Sequence, residues 1–219
     1  MLAIGDVAPL APLSRWGLAL STGLTLCLVA WFKRRQAAGA IGGAMSMPKA
    51  WWLAFAVLYW FFVCPLLAAD ARVPQPQRTV LRVFAANMWL RGVIELYMLY
   101  GPKNWKPRYG VGHAIFSLAL VIAMVVALPS ENTAPWFVTP WASISTVAIG
   151  VLNFSLALEA GYAAAFNKIV RGQTTGDDGL WFADAESPRF RLVNRVTAAF
   201  NLPLWLWLCV LIAASWGMM

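Results

Sequence analysis

Charge is what this sequence most lacks. Only 12% of its 219 residues are Asp, Glu, Lys or Arg, about half the share usual in a soluble domain. That excludes an ordinary water-soluble fold. Histidine is nearly missing: His113 is the single one. One histidine cannot ligate a b-type haem on both faces, so an electron-carrying cytochrome would need a ligand from elsewhere. Cysteine is scarce, with Cys27, Cys64 and Cys209 in apolar runs and no CxxC pair. Neither a disulfide framework nor a zinc centre is expected, and the three thiols read as small packing groups. Catalytic signatures are missing as well. The chain has no HExxH, no paired-Asp motif for a magnesium-bound diphosphate, no Gly-rich phosphate loop and no GxSxG. Asp177-Asp178-Gly179 lacks the ligand spacing of an EF-hand loop. No metal and no cofactor is expected.

What is abundant is apolar surface. Hydrophobic residues make up 61% of the chain and tryptophan alone accounts for 13 positions. Tryptophan favours the membrane–water interface. Several apolar runs approach the ~20 residues that a membrane-spanning helix needs. The expected fold is all-α: one polytopic membrane domain covering 1–219, a bundle of six helices. The spans are placed at 14–32, 51–69, 82–100, 112–128, 141–166 and 196–216. Pro65 falls near the end of the second span, where it should cost little. The N-terminus, MLAIGDVAPLAPLSRWG, lacks the basic start of a signal peptide and is expected to be retained.

The net charge of +8 invites a nucleic-acid reading, but no basic stripe or binding motif supports it. The basic residues instead cluster on alternate loops. Loops 33–49, 101–111 and 167–195 hold twelve Lys and Arg; the other side holds Arg15, Arg72, Arg78 and Arg82. The positive-inside rule makes the richer loops cytoplasmic, which places both termini on the non-cytoplasmic side.

Within that frame, few polar groups fall at membrane depth. Asn87, Arg91 and Glu95 are spaced i, i+4, i+8 and share one helix face. Glu159 lies in the fifth span, His113 opens the fourth, and Asn201 stands in the sixth near Pro203. An ionisable residue in a span is a functional-site hypothesis by default. Arg before Glu is the less favoured order for a pair on one helix. Arg91 is therefore expected to take a carboxylate, Glu95 or Glu159, into a charge-compensated site, with Asn87, His113 and Asn201 at similar depth. If the protein is an enzyme, Glu95 or Glu159 is the acid or base, and Arg91 holds a phosphate or polarises an oxygen. Ala157, Gly161 and Ala165 form a small-xxx-small repeat expected to pack against another helix.

Three function classes follow. The favoured one is a non-catalytic subunit or scaffold of a larger membrane complex, because no complete catalytic set is present. The alternatives are a membrane-embedded enzyme acting on a lipid or isoprenoid, and a small proton-linked transporter. The expected partners are the lipid bilayer, other membrane subunits and a lipid ligand.

Overall fold

The computed structural model describes residues 7–37, 46–100, 137–170, 188 and 190–219, together with Leu118 and Ile122. The expected span at 112–128, His113 and most of the loops 101–136 and 171–189 lie outside them. The described residues are helical, with no strand among them. The elements are α1 (Pro12–Ala37), α2 (Met47–Leu58), a wide turn at Tyr59–Val63, α3 (Cys64–Ala69), α4 (Gln75–Tyr100), α5 (Pro140–Val170) and α6 (Arg191–Ser215).

Four helical stretches are long and apolar enough to cross a membrane: Pro12–Arg35, Met47–Ala69, Pro140–Ala165 and Arg191–Ser215. They support insertion in several passes. A further long helix, α4, has 26 residues but carries Arg78, Arg82, Arg91 and Glu95, and it is not among those four. The helices run past the expected span limits because their polar ends continue the helical hydrogen bonding.

Local chemistry explains the boundaries. Ser46 caps α2 by accepting from the Lys49 amide at 3.3 Å, and Pro48 occupies the first turn, where a missing N–H costs nothing. α2 and α3 are one rod interrupted by a π turn. Pro65 has no N–H to offer and its ring crowds the preceding turn. The helix widens just before it, so that the Cys64 amide bonds back to the Tyr59 carbonyl. The proline expected to be inconsequential thus reshapes the middle of the bundle. α6 ends on Gly217 at φ +71°, with Gly217 N bonded to Ala214 O and Met218 N to Ala213 O. This is a left-handed cap that glycine adopts without strain. A Cβ there would also stand 3.1 Å from the Val7 carbonyl oxygen.

One end of the bundle is tied by the chain termini and a buried aspartate. The Leu10 amide bonds Ser215 O at 2.9 Å, and Trp141 Nε1 donates to Ala8 O at 2.7 Å. Asp70, 2% exposed, accepts from the Ala11 amide at 2.8 Å and the Arg72 amide at 3.0 Å. It thereby covers the open start of α1. The core between the helices is aromatic and aliphatic: Phe55, Tyr59, Leu67, Phe84, Leu152 and Leu211 are fully enclosed. The central rods, α2–α3 and α5, are 56% and 50% buried along their most apolar stretches, while α1 and α6 are only 17% and 22% buried. Of the expected thiols, Cys64 packs in the core; Cys27 and Cys209 are exposed on these outer helices and do not pack as expected.

Candidate functional site

α4 and α5 lie side by side and run in the same direction. Near their starts, Gln77 Nε2 donates to Thr146 Oγ1 at 3.2 Å. About 21 Å further along, at 1.5 Å per residue, Arg91 meets Glu159. Arg91 Nη1 donates to Glu159 Oε2 at 2.8 Å, and Nη2 to Oε1. Arg91 is 5% exposed and Glu159 6%. The guanidinium fork and the carboxylate are matched two bonds to two, the strongest common arrangement for such a pair. Desolvation of each charge is offset by the other, which is what a low-dielectric setting demands.

The remaining groups expected at this depth are placed differently. Asn87 Nδ2 turns back to its own helix, donating to Val83 O at 2.8 Å. Asn201 Nδ2 donates to Pro48 O at 3.0 Å, tying the middle of α6 to the first turn of α2. Glu95 belongs to α4, but its side chain, like His113, lies outside the described residues. Among the described residues, Arg91 and Glu159 are the pair brought together, and Asn87 and Asn201 bond elsewhere.

Two further polar junctions join the helices, neither singled out by the expected spans. In the centre, the Tyr59 hydroxyl donates to Ala148 O at 3.1 Å and accepts from Trp207 Nε1 at 3.0 Å. It links α2, α5 and α6 at one atom, on the first residue of the π turn. Near the second end, the Tyr162 hydroxyl lies 3.0 Å from Asn194 Oδ1 and 3.1 Å from Thr197 Oγ1. Ser46 Oγ donates to the same Asn194 oxygen at 3.1 Å. The Tyr162 ring stacks on Trp52 with centroids 4.9 Å apart, and Lys49 Nζ stands 5.3 Å from it and 5.1 Å from the Phe190 ring. The signal was present as Asn194, Thr197 and Asn201 at i, i+3, i+7, one helix face. It was hidden by assigning 167–195 to a connection, whereas α6 already begins at Arg191.

The small-residue repeat lies where α5 meets α6. A Cβ on Gly161 would stand 3.2 Å from Val193 Cγ2, so the helices nearly touch there. Beside this contact is a groove of about 410 Å³ walled by Ala157, Gly161 and Ala165 on α5 and by Leu192, Val193 and Val196 on α6. Arg91 and Glu159 do not line it. Among the described residues, no three His, Cys, Asp or Glu gather as a metal site would require.

The ion pair is a charge-assisted joint between α4 and α5. Each carboxylate oxygen accepts from the guanidinium, and both groups are shut off from solvent. Comparison with protein-family models, curated proteins and solved structures finds no match to this chain.

Proposed function

We propose that the protein is a non-catalytic subunit or scaffold of a larger membrane complex. The observation that carries this reading is the contrast between inside and outside. Arg91 and Glu159, two of the charges suited to chemistry, hold each other in a buried bidentate pair. The outer helices meanwhile leave long apolar flanks uncovered, with Leu13, Trp16, Leu20 and Leu24 exposed on α1 and Leu202, Leu206 and Val210 on α6. Such flanks suit contact with lipid and with neighbouring subunits.

The bundle has six spans, and both termini lie on the non-cytoplasmic side. The parallel course of α4 and α5 supports the count, because the chain between them has to return across the bundle. Gly112–Leu128 is the apolar run available for that return. The orientation rests on the twelve-to-four split of Lys and Arg between the two sides.

Purification in a mild detergent followed by mass spectrometry of the co-purifying proteins tests the reading. A partner at fixed stoichiometry is expected. Recovery of a lone chain at native expression level, together with turnover of a lipid that is lost in Glu159→Gln, would overturn it in favour of an enzyme.

A further inference from the structure

α1 meets the bundle along a narrow line. Ser14, Leu18 and Thr25 are its buried residues, spaced i, i+4 and i+11 on one face. Beyond Thr25 no described residue of α1 is buried, and Leu26, Cys27, Leu28, Ala30 and Trp31 are exposed. At 3.6 residues per turn, those five look out over most of the helix circumference. The outward face is one stripe of Trp16, Leu20, Leu24, Leu28 and Trp31, each more than half exposed. A tryptophan thus stands at each end of it, and each end has a guanidinium over an indole. At the first end Trp16 meets Trp216 edge to face, centroids 4.8 Å apart, and the Arg15 guanidinium lies 5.0 Å over that Trp216 ring. At the second end the Arg35 guanidinium stands 6.0 Å from the Trp31 ring. Neither arginine is in an ion pair among the described residues. Twenty residues separate Arg15 from Arg35, about 30 Å of helix, which is the thickness of a bilayer's hydrocarbon core.

We propose that the outward face of α1 is a lipid-facing surface: the stripe lies against acyl chains, and Arg15 and Arg35 stand at the levels of the two phosphate planes. Charge complementarity selects this occupant over a partner helix. Two cations without a protein anion, set one hydrocarbon core apart, match two sheets of phosphate, and tryptophan beside each is the usual interfacial anchor. Side-chain size points the same way. Helix contacts within membranes favour small residues that let backbones approach, whereas this stripe is built of leucine and tryptophan. A single partner helix would also cover one side of α1, not the several sides exposed after Thr25. The assignment rests on membrane insertion and sharpens the subunit reading, because it leaves a partner's contacts to faces other than this one.

The test is photolabelling from the hydrocarbon phase in native membranes. An aryl diazirine that partitions among the acyl chains is photolysed there, and adducts on the full chain are mapped by mass spectrometry of its peptides. Adducts are expected at Leu20, Leu24 and Leu28, on all sides of the helix from Leu26 to Trp31, and not at Leu18 or Thr25. They should fall away beyond Trp16 and Trp31. An unlabelled stripe, in membranes where Leu202 and Leu206 of α6 are labelled, would place a protein against α1 and overturn the proposal. Labelling confined to one side of Leu26–Trp31 would overturn it too. Gly23→Leu gives an independent check. A Cβ on Gly23 meets nothing within 4 Å, so this variant should keep whatever partner co-purifies with the native chain. Loss of that partner would show a helix packed on α1 and sink the assignment. The labelling pattern does not depend on whether a partner co-purifies, so the subunit reading and this one fail separately.

Discussion

An arginine at membrane depth is tolerable only where another group answers its charge. Arg91 has that answer in Glu159, and the arrangement has an energetic signature. Removing one member strands the other in the interior, which typically costs about 3–5 kcal/mol, whereas replacing both by apolar residues is often nearly neutral. Arg91→Ala alone should therefore destabilise the protein more than Arg91→Leu joined to Glu159→Leu. Unfolding in detergent across the single and double variants measures the coupling, and additive effects would dissolve the pair as an energetic unit. A second residue-scale expectation concerns Tyr59. Tyr59→Phe removes the oxygen that serves Ala148 O and Trp207 Nε1 together. Leaving buried partners unsatisfied costs about 1–3 kcal/mol, and the loss should appear as a lowered unfolding midpoint with no change in helix content.

At the scale of elements, the joints between helices carry the specificity. Asp70 joins the end of α3 to the start of α1. Burial opposes its charge, but the Arg72 amide, the Ser14 hydroxyl, the Ala11 amide and the nearby Arg72 guanidinium outweigh that and hold its pKa below the ordinary 3.8. A carboxylate with a depressed folded-state pKa contributes stability that is complete above its unfolded value. That contribution is lost as pH falls from about 3.8 through the lower folded value. Acid titration of stability should show this limb in the native chain and lose it in Asp70→Asn, which should also be less stable at pH 7. The α5–α6 joint gives a steric counterpart. Any side chain at Gly161 pushes on Val193, and overpacking typically costs about 1–3 kcal/mol. Gly161→Leu should lower thermal stability by separating α5 from α6. An unchanged melting curve would mean that this close approach contributes nothing.

In the whole molecule, the direction of each helix constrains the path of the chain. α4 and α5 advance together, shown by Gln77 against Thr146 and by Arg91 against Glu159, so a six-span chain requires the intervening segment to recross the membrane. Single cysteines placed at Ala38, Asn104 and Gly176, in a background lacking Cys27, Cys64 and Cys209, should then react with an impermeant reagent from the cytoplasmic side alone. Reaction of any one of them from the opposite side would break the six-span topology. The first two positions test the ends of α1 and α4; the third tests the connection to α6.

By itself the sequence determined the class of the protein. Low charge, long apolar runs and abundant tryptophan depend on composition and on the length of a bilayer crossing, which need no tertiary information. The spacing of Arg91 and Glu95 likewise showed that Arg91 would need a carboxylate. It did not place Glu159 against Arg91, because the meeting of two residues 68 positions apart depends on how α4 and α5 are set against each other. The same limit hid the Tyr162–Asn194–Thr197 junction, whose members meet only when α5 and α6 are packed antiparallel. It also hid the π turn, since the effect of Pro65 on the preceding turn depends on how α2–α3 is packed in the bundle. Pairing, register and enclosure are properties of the packed helices, and only the tertiary structure decided them.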